Sequence, residues 1–217
     1  MVSDKEDEME GMEGMEAFCE ARGLPWDGQR RAQMESYLEL LLKFNEAMNL
    51  IGPMGRQEVV ETLLQDSLVA AEARAPRGPI LDVGTGAGLP GIPLKIAFPD
   101  CPVTLVEPRQ KRSTFLKIAT HRLGLEDVQI ERCRIEDFPG EGYDLAISKA
   151  FEAPVKWLER AAAFVGDDGA VVCMARRRDE GALRQIAASL GMAVAGEAEG
   201  AGEGPSRRVC WGFERRR

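Results

Sequence analysis

A regular rhythm begins at Pro79 and leaves few folds open to this 217-residue chain. Short runs rich in Val, Ile and Leu lie at 80–83, 103–107, 128–131, 143–148, 170–174, 192–196 and 209–213. Segments of helical period separate them at 91–98, 110–123, 154–164 and 180–190. A strand followed by a helix re-enters a sheet parallel to itself, because the helix carries the chain back across one face. The alternation therefore predicts an α/β, Rossmann-like, doubly wound domain with a mostly parallel sheet covered on both sides. The connection 197–206 is rich in Gly and Glu and has no helical period. The last two strands are thus expected to pair antiparallel at the sheet edge, making seven in all.

Two amphipathic helices precede this domain. Met34, Tyr37, Leu38, Leu41, Leu42 and Met48 form one apolar stripe over 28–48, and Val59, Val60, Leu63, Leu64 and Leu68 form another over 57–73. Residues 24–75 read as an N-terminal helical extension that caps the α/β domain of 76–217. The first 23 residues read differently. Residues 1–20 hold eight acids against Lys5 alone, so nearly all of the net charge of −8 falls there. The repeat MEGMEGMEA (9–17) also places glycines where a helix needs better formers. An acidic flexible tail is the expectation.

The rest of the chain is close to neutral, with basic groups at Arg109, Lys111, Arg112 and Lys117 and at 176–178, 207–208 and 215–217. That distribution is compatible with a phosphate-binding face, for which Arg109, Lys111 and Arg112 are candidates. No apolar run approaches the roughly 20 residues of a membrane span. The five cysteines are scattered, with no C-x-x-C, which points away from disulfides and zinc. The chain is expected to be a cytoplasmic monomer with no membrane partner and no metal.

The stretch ILDVGTGAGLPG (80–91) turns the first strand into a helix, where open α/β sheets bind ligands. Two frames fit it. From Gly86 it reads G-x-G-x-x-G, the dinucleotide fingerprint. From Asp82 it reads D-x-G-x-G-x-G, the pattern of an S-adenosylmethionine site. A pyrophosphate loop begins its glycines directly after the strand, whereas here an acid closes the strand and Gly86 lies further on. A carboxylate at Asp82 suits the cationic methionine end of S-adenosylmethionine, although an Asp that only braces the loop is the alternative. Glu107, closing the second strand, can accept both ribose hydroxyls of an adenosine and would repel a 2′-phosphate. Asp82, Gly84, Gly86, Gly88 and Glu107 are the cofactor candidates.

On these residues the chain resembles the bacterial small-subunit ribosomal RNA guanine-N7 methyltransferases, also called glucose-inhibited division protein B. The likeness rests on DVGTGAGLPGIPL (82–94), FNEAMNL (44–50), QDSL (65–68), VTLVEPRQKRSTFL (103–116), RIEDF (134–138) and DLAISKAF (144–151). It spans about residues 24–213. The resemblance implies a class I S-adenosylmethionine-dependent methyltransferase fold. It also implies methyl transfer to N7 of one guanine in the 530 loop of 16S rRNA, in the small ribosomal subunit. It places Gly84 and Leu89 on the methionine side of the cofactor, Glu107 at the ribose, and Ile135 and Glu136 beside the adenine. Lys149 stands where the family has the arginine of S-R-A, close to cofactor and substrate, with a role in orienting them. Two further departures are TLLQDS (62–67) in place of R-H-I-L-D-S, and Met174-Ala175-Arg176 where a Lys-Gly pair is usual.

Guanine N7 carries an exposed in-plane lone pair, so its methylation needs no strong general base. The only histidine, His121, falls in a helical pattern and is expected to be structural or exposed. Amino-group methylation calls for N/D-P-P-Y/F where 148–151 reads SKAF. Carbon-5 methylation of cytosine calls for a Pro-Cys nucleophile, which no cysteine here provides. Asp66 and Ser67 are expected to shape the pocket. A small-molecule methyltransferase on the same fold, a non-catalytic ligand-binding protein and an NAD oxidoreductase stand as rival readings.

Overall fold

The computed structural model describes residues 3–200 and 207–216, with side chains from Met12 onward. Its seven strands are β1 (Ile80–Val83), β2 (Val103–Val106), β3 (Val128–Glu131), β4 (Tyr143–Ser148), β5 (Val165–Arg176), β6 (Met192–Glu199) and β7 (Arg208–Arg215). They lie in the order β3-β2-β1-β4-β5-β7-β6. β1 pairs parallel with β2 and β4, β2 with β3, and β4 with β5. β7 pairs antiparallel with both β5 and β6, so it slips between them and leaves β6 at the edge. Chain order reverses between β1 and β4, which opens a crevice above the carboxyl ends of the strands.

The central strands are buried on both sides, as near-continuous apolar runs require. Ile80, Leu105, Leu145, Ile147 and Val172 point to one face. Leu81, Val106, Ala146, Val171 and Cys173 point to the other, in the alternation that a pleated strand imposes. The first face is covered by α2 (Gly28–Met48), α4 (Gln65–Ala73), α5 (Gly91–Ala97) and α6 (Gln110–Arg122). The second is covered by α7 (Pro154–Ala161) and α8 (Glu180–Ser189), through Trp157, Leu158, Leu183 and Ala187. Below the sheet, buried Arg74 bonds Asp144 at 2.8 Å and Glu214 at 2.7 Å, fastening the entry to β1 onto β4 and β7.

The expected flexible tail is overturned. Ser3–Arg22 forms a helix, α1, and Met12, Met15 and Cys19 are buried in the same core as Tyr37, Leu38, Val60 and Leu64. Spacings of three and four put these three side chains on one helix face. Burying two methionines, at about 1.5–3 kcal/mol each, outweighs the helix penalty of about 1 kcal/mol each for Gly11 and Gly14. Ion pairs Arg31–Glu16 and Arg22–Glu72, both 2.7 Å, hold the helix against α2 and α4.

The second expected helix is also more elaborate than its period suggests. It runs as α3 (Arg56–Val59), a π-helical turn (Val60–Leu64) and α4. Such turns insert one residue and shift the carbonyl ladder, and they recur at functional sites. Among the described residues, no helix is long and apolar enough to cross a membrane, and no group of three His, Cys, Asp or Glu is placed to hold a metal.

Candidate active site

The glycine loop is built from below. Asp82 is wholly buried at the end of β1, and its Oδ2 accepts hydrogen bonds from Thr85 Oγ1 (2.5 Å) and Gly91 N (2.8 Å). The carboxylate thus ties the start of the loop to the start of α5. Its other oxygen, Oδ1, is buried without a partner among the described residues. Burial pushes the Asp82 pKa up to about 7, against the lowering effect of the bonds from Thr85 and Gly91. From the cap, the buried Tyr37 hydroxyl donates to the Ala87 carbonyl at 2.8 Å. Residues 24–75 therefore support the loop directly.

Gly84, Gly86 and Gly88 have φ of 66°, 61° and 98°, in the left-handed region that favours glycine. They are not equivalent. A Cβ at Gly84 would collide with the Phe151 ring, and one at Gly86 would crowd the Arg112 guanidinium. Of the two, Gly84 lines the cleft beside the loop. A Cβ at Gly88 would strike Ile92 of α5 and Leu116 of α6, so the bare position there lets the two helices pack against the loop. Likewise, the contacts of Asp82 are those of a loop brace, and its side chain does not reach the surface.

A cleft of about 230 Å³ opens beside the loop, lined by Gly84, Val106, Ile135, Glu136 and Phe151 among others. Residues far apart in the chain thus meet where the sequence pattern places the adenosyl group. Glu107, buried, sits at the rim: its Oε2 accepts from Gly86 N at 3.1 Å and its Oε1 from Arg109 N at 2.8 Å. Arg112 lies 3.9 Å from the same carboxylate, so this expected RNA contact stands over the loop, whereas Arg109 and Lys111 are exposed. Phe151 is the one large hydrophobic left exposed among the described residues, 40% accessible, and meets Trp157 edge-on.

A second, larger cavity of about 440 Å³ adjoins at the ends of β4 and β5, lined by Asp66, Lys149, Arg176 and Arg208 among others. Lys149 lines this cavity and not the glycine-loop cleft. Its Nζ donates to the Thr62 carbonyl at 3.0 Å and lies 3.8 Å from Asp66 Oδ2. Arg208 approaches the same Oδ2 at 2.7 Å. Burial holds the Lys149 pKa below its ordinary range, Asp66 opposes that shift and Arg208 adds to it. Ala150, at φ 56°, occupies a conformation costly for a residue with a Cβ. That kink sends Lys149 toward the larger cavity and Phe151 over Gly84. Ser67 turns its hydroxyl back to the Leu63 carbonyl (2.6 Å) and is absent from the cavity wall.

Arg208 was not singled out by its sequence context. It reaches the site only because β7 runs antiparallel, which pairs it with Arg176 at the carboxyl edge of β5. His121 is exposed in the last turn of α6. Cys173 and Cys210 are fully buried, and burial pushes both thiols upward, away from the nucleophilic thiolate. The site therefore offers a bare-backbone cleft, an anionic rim at Glu107 and a neighbouring cavity rich in cations.

A family model described as rRNA small subunit methyltransferase G matches residues 30–199. The ribosomal RNA small subunit methyltransferase G of Anaeromyxobacter dehalogenans (strain 2CP-C) is 35% identical over 189 residues, 85% of this chain and 87% of that one. The protein of the same name from Alkaliphilus metalliredigens (strain QYMF) is 36% identical over 162 residues, 71% of this chain and 68% of that one. Among solved structures, M. jannaschii TYW2 in complex with AdoMet superposes with a TM-score of 0.58 at 18% identity, covering 76% of this chain and 79% of that one. At such identity the likeness is one of fold, that of the class I methyltransferases.

Proposed function

The chain belongs to the rRNA small subunit methyltransferase G family, and from that premise we propose that it methylates N7 of a guanine in the 530 loop of 16S rRNA with S-adenosylmethionine as donor. The observation that carries this reading is the pairing of two adjoining sites across Lys149-Ala150-Phe151. One is a glycine-loop cleft with Glu107 at its rim, and the other a cationic cavity large enough for a nucleoside.

The residues of the cleft fit the donor. The backbone at Gly84 is bare where a Cβ would meet Phe151, and at Gly86 where one would crowd Arg112, while the buried Asp82 braces the loop from below. Glu107 would hold the ribose hydroxyls, Ile135 and Glu136 would border the adenine, and Gly84 and Leu89 would line the methionine side. Ligand sites start at about 300 Å³, so the ring of Phe151 or the Arg112 side chain must swing out to seat a whole adenosyl group.

When bound, S-adenosylmethionine supplies an electrophilic sulfonium methyl group. The protein has no proton to remove, because the N7 lone pair is free to attack. Its task is alignment, an effect that contributes roughly 7–11 kcal/mol in well-oriented systems. Lys149 would orient the guanine, while exposed Arg109 and Lys111 would meet RNA phosphates, so affinity should fall steeply with salt.

The direct test incubates the protein with small subunits lacking the modification and with methyl-labelled S-adenosylmethionine, then maps N7-methylguanine by mass spectrometry. Label at a guanine of the 530 loop is expected. Label elsewhere, transfer to a metabolite in the absence of ribosomal particles, or tighter binding of NADH than of S-adenosylhomocysteine would overturn the assignment.

A further inference from the structure

We propose that Asp66 is the residue that selects guanine, reading the N1–H and N2–H₂ edge of the target base in the 440 Å³ cavity. The inference rests on the methyltransferase reading above and names a residue that reading leaves without a role.

Asp66 is only 3% exposed, yet it lines the cavity. A buried carboxylate is expensive unless paired and hydrogen-bonded. Here two cations meet it, Arg208 at 2.7 Å and Lys149 at 3.8 Å, and both also reach the Thr62 carbonyl, at 3.4 and 3.0 Å. Thr62 lies within the π-helical turn that leads into α4, so the irregular turn and the charge cluster form one construction. Arg208 and Lys149 set two positive charges beside the carboxylate, and a carboxylate flanked in this way serves as an acceptor.

The chemistry of the base edges does the rest. Guanine presents an acceptor, O6, then two donors, N1–H and N2–H₂. Lys149 beside Asp66 presents the complement, a donor followed by acceptor oxygens. Adenine inverts both groups, placing an amino group against the ammonium and a lone pair against the carboxylate. With its Watson–Crick edge held in this way, guanine turns its imidazole side outward. N7, with O6 at Lys149, is on the imidazole side of the base, clear of the groups that hold the Watson–Crick edge. A site built to hydrogen-bond a donor discriminates strongly against analogues that lack it, because its own buried group is then left unsatisfied.

The experiment compares small subunits reconstituted with 16S rRNA that carries guanosine or inosine at the target. Inosine keeps N7, O6 and N1–H and lacks only the 2-amino group. Wild-type protein is expected to favour guanosine at least about tenfold in kcat/KM, the size of one lost charge-assisted hydrogen bond. In Asp66→Asn the preference should collapse toward unity, while S-adenosylhomocysteine affinity stays within about twofold. An Asp66 that merely supports the fold would depress both substrates equally and keep the ratio, which overturns the proposal. Should Asp66→Asn fail to fold, the wild-type ratio alone decides, since equal use of inosine and guanosine is incompatible with a carboxylate reading N2. No transfer to guanosine by the wild type would instead strike the underlying methyltransferase reading.

Discussion

Replacing Asp82 by Asn should change the sign of its effect on stability with pH. Asp82 titrates at an ordinary 3.8 in the unfolded chain and at about 7 in the folded one, chiefly because it is buried. An acid whose folded pKa is raised keeps its proton in the native state over a range where the unfolded state has lost it. Its contribution is therefore intact below about pH 4, declines between there and pH 7, and is flat above. At 1.36 kcal/mol per pKa unit the whole decline is about 4 kcal/mol, of which about 3 kcal/mol falls between pH 5 and 8.

Asparagine keeps one oxygen to accept from Thr85 and Gly91, and it does not titrate. It also points an amide N–H₂ to where Oδ1 has no partner among the described residues, at a cost of about 1–3 kcal/mol. The variant should thus be less stable than wild type at pH 5 and equal to it or more stable at pH 8. Urea unfolding of both proteins at unit pH steps measures this, and the difference cancels every other titrating group. A difference constant within about 0.5 kcal/mol across the range would refute the assignment of a buried, proton-holding carboxylate to this position.

Three further outcomes follow from the same coordinates. Tyr37→Phe leaves the Ala87 carbonyl without its donor, so it should cost about 1–3 kcal/mol in urea unfolding and weaken S-adenosylhomocysteine binding by calorimetry. Gly88→Ala meets both a φ of 98° and the side chains of Ile92 and Leu116, and should lower stability by at least about 2 kcal/mol in a thermal melt. Met15→Ala should cost about 2–5 kcal/mol because the side chain is fully buried, whereas a loose tail would lose nothing measurable.

The strand–helix alternation after Pro79 made the sheet legible, because buried parallel strands are short apolar runs with unmistakable gaps. β5 was read at 170–174 but begins at Val165, since Gly166-Asp167-Asp168-Gly169 has the composition of a turn. Helix α1 escaped for a related reason: its acids and glycines mask a narrow methionine face that gains stability only against α2–α4. At the site, the glycine loop and Glu107 were visible because local spacing defines them. Their division of labour was not, since whether a glycine faces a ligand or a packed side chain depends on tertiary neighbours such as Ile92 for Gly88 and Phe151 for Gly84. Arg208 was invisible as a site residue because its contact with Thr62 spans 146 positions and depends on the antiparallel placement of β7.

Two of the departures from the family pattern meet in three dimensions. Lys149 and Met174-Ala175-Arg176 are scattered along the chain, yet they line one cavity. Thr62 and Leu63 do not line it, and Thr62 meets Lys149 only through its main-chain carbonyl. None lines the glycine-loop cleft. A lysine has a point-like charge where an arginine has a planar fork, so it engages Asp66 from one direction and leaves Oδ2 accessible to a second cation. Arg208 takes that place at 2.7 Å. The departures at Lys149 and 174–176 thus fall in the larger cavity and leave the lining of the glycine-loop cleft untouched. Within that cavity the charge cluster draws on distant parts of the chain: a carboxylate from α4 meets a lysine that follows β4 and an arginine that opens β7.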